Sequence, residues 1–96
     1  MNAETKLTNI FNREGIVAVA VQSNDNYICK YKDEKKWENI LKEFLNVLSS
    51  SEEDSVRGTI SSKSVFATKI DNLEICVVWE SGHKIAKSIQ KIIALK

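Results

Sequence analysis

Six consecutive apolar residues, Ile16 to Val21 (IVAVAV), constrain this chain more than any other stretch. A strand without a polar face is covered on both sides, so it belongs inside a sheet with other elements packed above and below. Leu73 to Trp79 (LEICVVW) has the same character and reads as a second central strand. Two such strands in a 96-residue chain require a compact single domain, because a small domain buries proportionally less of its surface. The expected architecture is therefore α/β, a sheet with helices on both faces.

The rest of the chain supplies those layers. Ala3 to about Arg13 is a short helix with Leu7, Ile10 and Phe11 on one face, and Gly15 is placed to stop it. After Ile16–Val21, Ser23-Asn24-Asp25-Asn26 is turn chemistry, and Tyr27–Tyr31 returns as a half-exposed strand near an edge. The longest amphipathic stretch runs from Asp33 to Ser51, with Asp33 as N-cap and Glu34 in the first turn. Ser49 to Asp54 reads as a polar loop. Val56–Ser62 is a weak, one-faced strand, Ser62-Lys63-Ser64 a turn, and Val65–Ile70 a strand; Asp71-Asn72 turns into Leu73–Trp79. Ser81 caps a final helix, roughly Gly82 to Leu95, with Ile85, Ile89, Ile92 and Ile93 on one face. The order is α-β-β-α-β-β-β-α around a five-stranded, mainly antiparallel sheet. Ile16–Val21 and Leu73–Trp79 are central and the other three strands peripheral. The terminal helices share one side and the long helix takes the other alone.

That long helix carries the functional clue. Trp37, Ile40, Leu41, Phe44, Leu45, Val47 and Leu48 recur at helical spacing and cover an arc of about 160°, wider than the ~100° stripe that packing on one surface needs. Part of that arc is left to face something beyond its own sheet. The signal is association rather than chemistry.

Composition narrows the classes further. The apolar share of 43% suits a globular chain, and a net charge near +1 with interspersed signs gives no basic stripe for nucleic acid. No apolar run approaches the ~20 residues a bilayer requires, and the opening MNAETKLTNI has no hydrophobic signal segment, so a soluble cytoplasmic protein is expected. Cys29 and Cys76 lie far apart in apolar, strand-like surroundings and read as buried reduced thiols.

Chemical signals are weak beside this. His83, the only histidine, sits at the start of the final helix, and pairing it with Cys76 as a nucleophile needs a cleft and a third, orienting group. Glu52, Glu53 and Asp54 lack the glycine-bent spacing of a cation loop. Gly15, Gly58 and Gly82 form no phosphate-binding pattern. No catalytic residue, cofactor or metal is expected. Tyr27 and Tyr31 lack the basic surroundings of a base-stacking face, and Lys84, Lys87, Lys91 and Lys96 are the solvated side of the last helix. Trp37 is a candidate interface anchor, and Trp79 is core or rim.

The element order from Leu7 to Ile93, with the Gly15–Val19 strand, a turn and a returning strand before the long helix, resembles the Roadblock/dynein light chain (LC7-type) domain family, a relative of longin and profilin-like folds. The resemblance implies a homodimer joined through the long helix and the third strand. It implies a non-catalytic adaptor or scaffold that binds another protein, a small Ras-like GTPase among the partner classes, or links subunits of a larger assembly. The implied seam comprises Trp37, Ile40, Leu41, Phe44, Leu45 and Leu48, with Arg57, Thr59 and Ser61 on the neighbouring strand. A reading from another class is a monomeric profilin/PAS-like sensor, holding a small molecule at the Tyr27–Tyr31 face or beneath the helix.

Overall fold

A computed structural model of the chain describes residues 3–12, 15–23, 26–70 and 73–80. The expected final helix, with His83 and its lysines, lies outside the described residues. Within them the order is α1 (Ala3–Phe11), β1 (Ile16–Ser23), β2 (Asn26–Tyr31), α2 (Lys36–Ser50), β3 (Ser55–Ile60), β4 (Lys63–Ile70) and β5 (Leu73–Glu80). The strands form one antiparallel sheet in the order β2-β1-β5-β4-β3.

The apolar strand occupies the interior as its composition requires. All six residues from Ile16 to Val21 are buried, between β2 on one side and β5 on the other. A bulge between Ile16 and Ala18 resets the alternation of faces. Ile16, Val19 and Val21 pack with Leu7 and Ile10 of α1, whereas Val17, Ala18 and Ala20 lie with α2. The α2 face is built from small sheet residues, Ala18, Ala20, Ala67 and Cys76, beneath the large Trp37, Leu41, Leu45 and Leu48. Small groups opposite large ones let the helix approach closely without voids.

Three expectations are corrected. Asp33 is not the cap of α2: it has left-handed backbone (φ 67°), and the helix begins at Lys36 after Lys35, with no side-chain cap bond. The first helical donors find main-chain acceptors instead, Trp37 N–H on the Glu34 carbonyl (3.3 Å) and Glu38 N–H on that of Lys35 (3.0 Å). The same property that makes Asp a cap, a short polar side chain tolerant of left-handed backbone, serves the reversal out of β2. Glu34 thus precedes the helix and pairs with Lys36 (2.8 Å). At the other end, α2 absorbs Ser49 and Ser50, so the polar loop is shorter than its composition indicates. Lastly, β4 is not peripheral. It lies between β5 and β3 with Val65, Phe66, Ala67 and Thr68 buried, and only its polar ends, Lys63, Ser64 and Lys69, give it an edge-like appearance.

Gly15 has the left-handed backbone expected of it (φ 88°), but α1 already ends at Phe11. Its carbonyl accepts the Glu80 N–H (3.0 Å), tying the start of β1 to the end of β5. The β3–β4 hairpin turns at Ser61-Ser62, with Ser61 at φ 56°.

Candidate protein interface on helix α2 and strand β3

The wide apolar arc of α2 divides into two parts. Trp37, Leu41, Leu45 and Leu48 are at most 3% exposed and fill the space between helix and sheet. Ile40 and Phe44 are half-buried, and Val47, 54% exposed, is the large hydrophobic residue most open to solvent among the described residues. Ile40, Phe44 and Val47 are spaced i, i+4, i+7, which aligns them along one flank. On the opposite flank, Ser49 donates to Glu74 of β5 (2.7 Å), and Lys42 lies over the Tyr27 ring of β2 (5.4 Å). The apolar flank therefore looks toward the β3 end of the sheet.

Strand β3 meets that flank at Gly58. A Cβ at position 58 would come within 3.0 Å of Phe44 Cζ, so the missing side chain is the seat of the Phe44 ring. Val56 and Ile60, on the same face of β3, pack against the α2 core. Arg57, Thr59 and Ser61 are exposed; Arg57 and Thr59 alternate onto the other face, where the Arg57 guanidinium covers the Phe66 ring (5.1 Å). No described strand pairs with the outer edge of β3.

The residues of the seam expected from sequence fall into two groups. Trp37, Leu41, Leu45 and Leu48 are buried in the core between helix and sheet. Ile40 and Phe44 remain accessible, beside Arg57, Thr59 and Ser61. Val47, present in the apolar arc but absent from the expected seam, completes the stripe. Its signal was its spacing of three from Phe44.

Other candidate chemistry lies elsewhere. Tyr27, Cys29 and Tyr31 are half-buried against the α2 core, and the space beneath the helix is filled by its own side chains. Among the described residues no hydrogen-bond partner of good geometry reaches the buried Tyr27 hydroxyl, although the Cys29 thiol lies beside it. Burial foremost, then the neighbouring Cys29 thiol, raises its pKa above the ordinary tyrosine value. Removing an unsatisfied buried hydroxyl relieves a desolvation cost, so Tyr27→Phe is expected to raise unfolding free energy by about 1 kcal/mol; chemical denaturation reads it, and a loss of stability would mean the hydroxyl is bonded. Cys76 is fully buried, and desolvation pushes its thiol up to about 12. A cleft of about 360 Å³ at the start of α2 is lined by Lys32, Asp33, Lys36, Trp37, Lys63 and Glu80, among others. Its charges are largely paired, Lys36 with Glu34 and Lys63 with Glu80 (2.7 Å).

No family model matches the chain, and no curated protein matches it in sequence. Among solved structures it is similar to the crystal structure of a Roadblock/LC7 domain from Streptomyces avermitilis, with a TM-score of 0.65 over 99% of this chain and 91% of that one. The fold is that of a Roadblock/LC7 domain. Sequence identity is 9%, so the likeness is one of fold alone. In Roadblock terms, α2 is the long central helix and β3 the neighbouring third strand. No described helix of this Roadblock fold is long and apolar enough to cross a membrane.

Proposed function

We propose that this chain is a non-catalytic adaptor of Roadblock type that pairs with a second copy through the outer flank of α2 and the edge of β3. The observation that carries the reading is the continuity of the Ile40–Phe44–Val47 stripe with an edge strand that no described strand covers. Apolar stripes and open edges are both liabilities for a lone domain, and one partner covers both. The paired sheets then offer a surface to another protein. A small Ras-like GTPase is one partner class, and docking subunits of a larger assembly is the other role that the Roadblock resemblance implies. Burial of Cys76, whose thiol is held protonated, speaks against a thiol nucleophile there.

Light scattering across a dilution series tests the pairing, with a mass twice that of the chain expected. Val47→Asp is expected to weaken association by about 100-fold or more, because each copy buries an unpaired carboxylate. The side chain is already open to solvent, so the fold is expected to survive the change. A dimer that persists in this variant would sink the seam.

A further inference from the structure

If two copies pair along β3, the ladder itself restricts how the edges meet. Lys69 donates its backbone N–H to the Asp54 carbonyl (2.9 Å), which makes Asp54 and Lys69 a bonded pair at the end of the β3–β4 ladder. Bonded and non-bonded pairs alternate along an antiparallel ladder. Val56, Gly58 and Ile60 therefore direct their backbone groups to β4, and Ser55, Arg57 and Thr59 turn theirs outward.

Two copies joined antiparallel about a two-fold axis must set outward residues opposite outward residues. The numbers of facing residues then sum to an even constant, and the axis falls on a residue rather than between two. An axis at Arg57 pairs Ser55 through Thr59, and an axis at Gly58 pairs Val56 through Ile60; axes nearer either end of β3 pair much shorter stretches. The Arg57 axis places two guanidiniums directly opposite one another, and like charges in that position repel. The Gly58 axis sets each Arg57 opposite Thr59 of the second copy instead.

Helix α2 selects the same residue independently. Phe44 is the middle of its outward stripe, and Phe44 is the side chain seated over Gly58. We propose that the two-fold axis of the pair passes at Gly58, with Arg57 facing Thr59 of the second copy and the two Phe44 rings meeting across the seam. Antiparallel packing of α2 on its copy then brings Ile40 of each against Val47 of the other, so strand register and helix stripe are satisfied by one symmetry operation. This inference rests on the homodimer reading above and adds its register.

Single-cysteine crosslinking tests it, in a Cys29→Ser chain so that buried Cys76 is the native thiol left. Val56→Cys and Ile60→Cys are made separately and leave Arg57 in place. Facing non-bonded residues lie about 4.5 Å apart between Cα atoms, within the span of a disulfide. A linked dimer is expected on oxidising the mixture of the two variants and in neither alone. If either variant fails to fold by circular dichroism, Ser55→Cys and Ser61→Cys, both exposed and facing one another in the same register, replace them. A dimer of normal mass that links through one variant alone, or through Ser55→Cys mixed with Thr59→Cys, overturns the register but leaves the homodimer standing. So does a dimer in which the mixture stays unlinked. A monomeric mass for the parent chain overturns both.

Discussion

Leu41→Asp is expected to unfold the protein rather than split a dimer. Leu41 is 0% exposed, within the cluster formed by Val17, Ala18, Ala20, Val65, Cys76 and Val78 under α2. Substitution removes a leucine's burial, about 2–3 kcal/mol, and leaves a carboxylate with no charged partner in that apolar layer. The combined loss is expected to exceed about 5 kcal/mol, which reaches the lower end of the total stability of a domain this size. Far-UV circular dichroism during urea titration is expected to show no cooperative transition. A native-like transition in this variant would mean that Leu41 does not pack between helix and sheet. Against Val47→Asp, six residues along the same helix, the contrast separates the face that holds the fold from the face proposed to hold a partner.

Stability is expected to decline as the pH rises above about 9. The Cys76 thiol has an ordinary value of 9.0 in the unfolded chain and about 12 in the fold, because burial disfavours the thiolate. Below the lower value both states hold the proton, and the contribution is complete. Between the two, the unfolded chain releases the proton and the folded chain keeps it, so unfolding free energy falls by about 1.4 kcal/mol per pH unit. The loss ends as pH passes the folded value. Tyr27, raised mainly by burial, adds in the same direction at still higher pH. Denaturant midpoints at pH of about 8, 9 and 10 read the slope. Cys76→Ala is expected to remove most of it, and a slope unchanged in that variant would assign the alkaline loss to other groups.

Much of the architecture was legible because its strongest constraint is compositional. Ile16–Val21 and Leu73–Trp79 carry no polar face, and both lie inside the sheet with helices α1 and α2 on opposite sides of β1. β4 was harder to place because Lys63, Ser64 and Lys69 mask a buried centre, and a central strand with polar ends has the composition of an edge. Asp33 shows a different obstacle: capping and left-handed backbone favour the same residue type, and only the path out of β2 decides between them.

For the candidate interface, sequence periodicity supplies the angular width of the apolar arc on α2 but not its direction. Separating Leu41 and Leu45 from Ile40, Phe44 and Val47 requires knowing on which side β3 lies. That is a tertiary fact, established through Gly58 and the ring of Phe44. Gly58, which weakens β3 by strand propensity, turns out to be a notch for an aromatic side chain.

The position of β1 also bears on how the chain comes together. β1 pairs locally with β2, but its other neighbour is β5, separated from it in sequence by α2 and two further strands. The hairpin β1–β2 and the meander β3–β4–β5 can each form early, yet the sheet closes only when these halves dock along β1 and β5. Closure of so long a loop precedes its reward, which slows folding relative to a sheet of purely local pairings. During synthesis the IVAVAV segment leaves the ribosome well before its β5 partner exists. A β-branched, uncharged edge waits unpaired in that interval, the circumstance that most invites aggregation and chaperone capture.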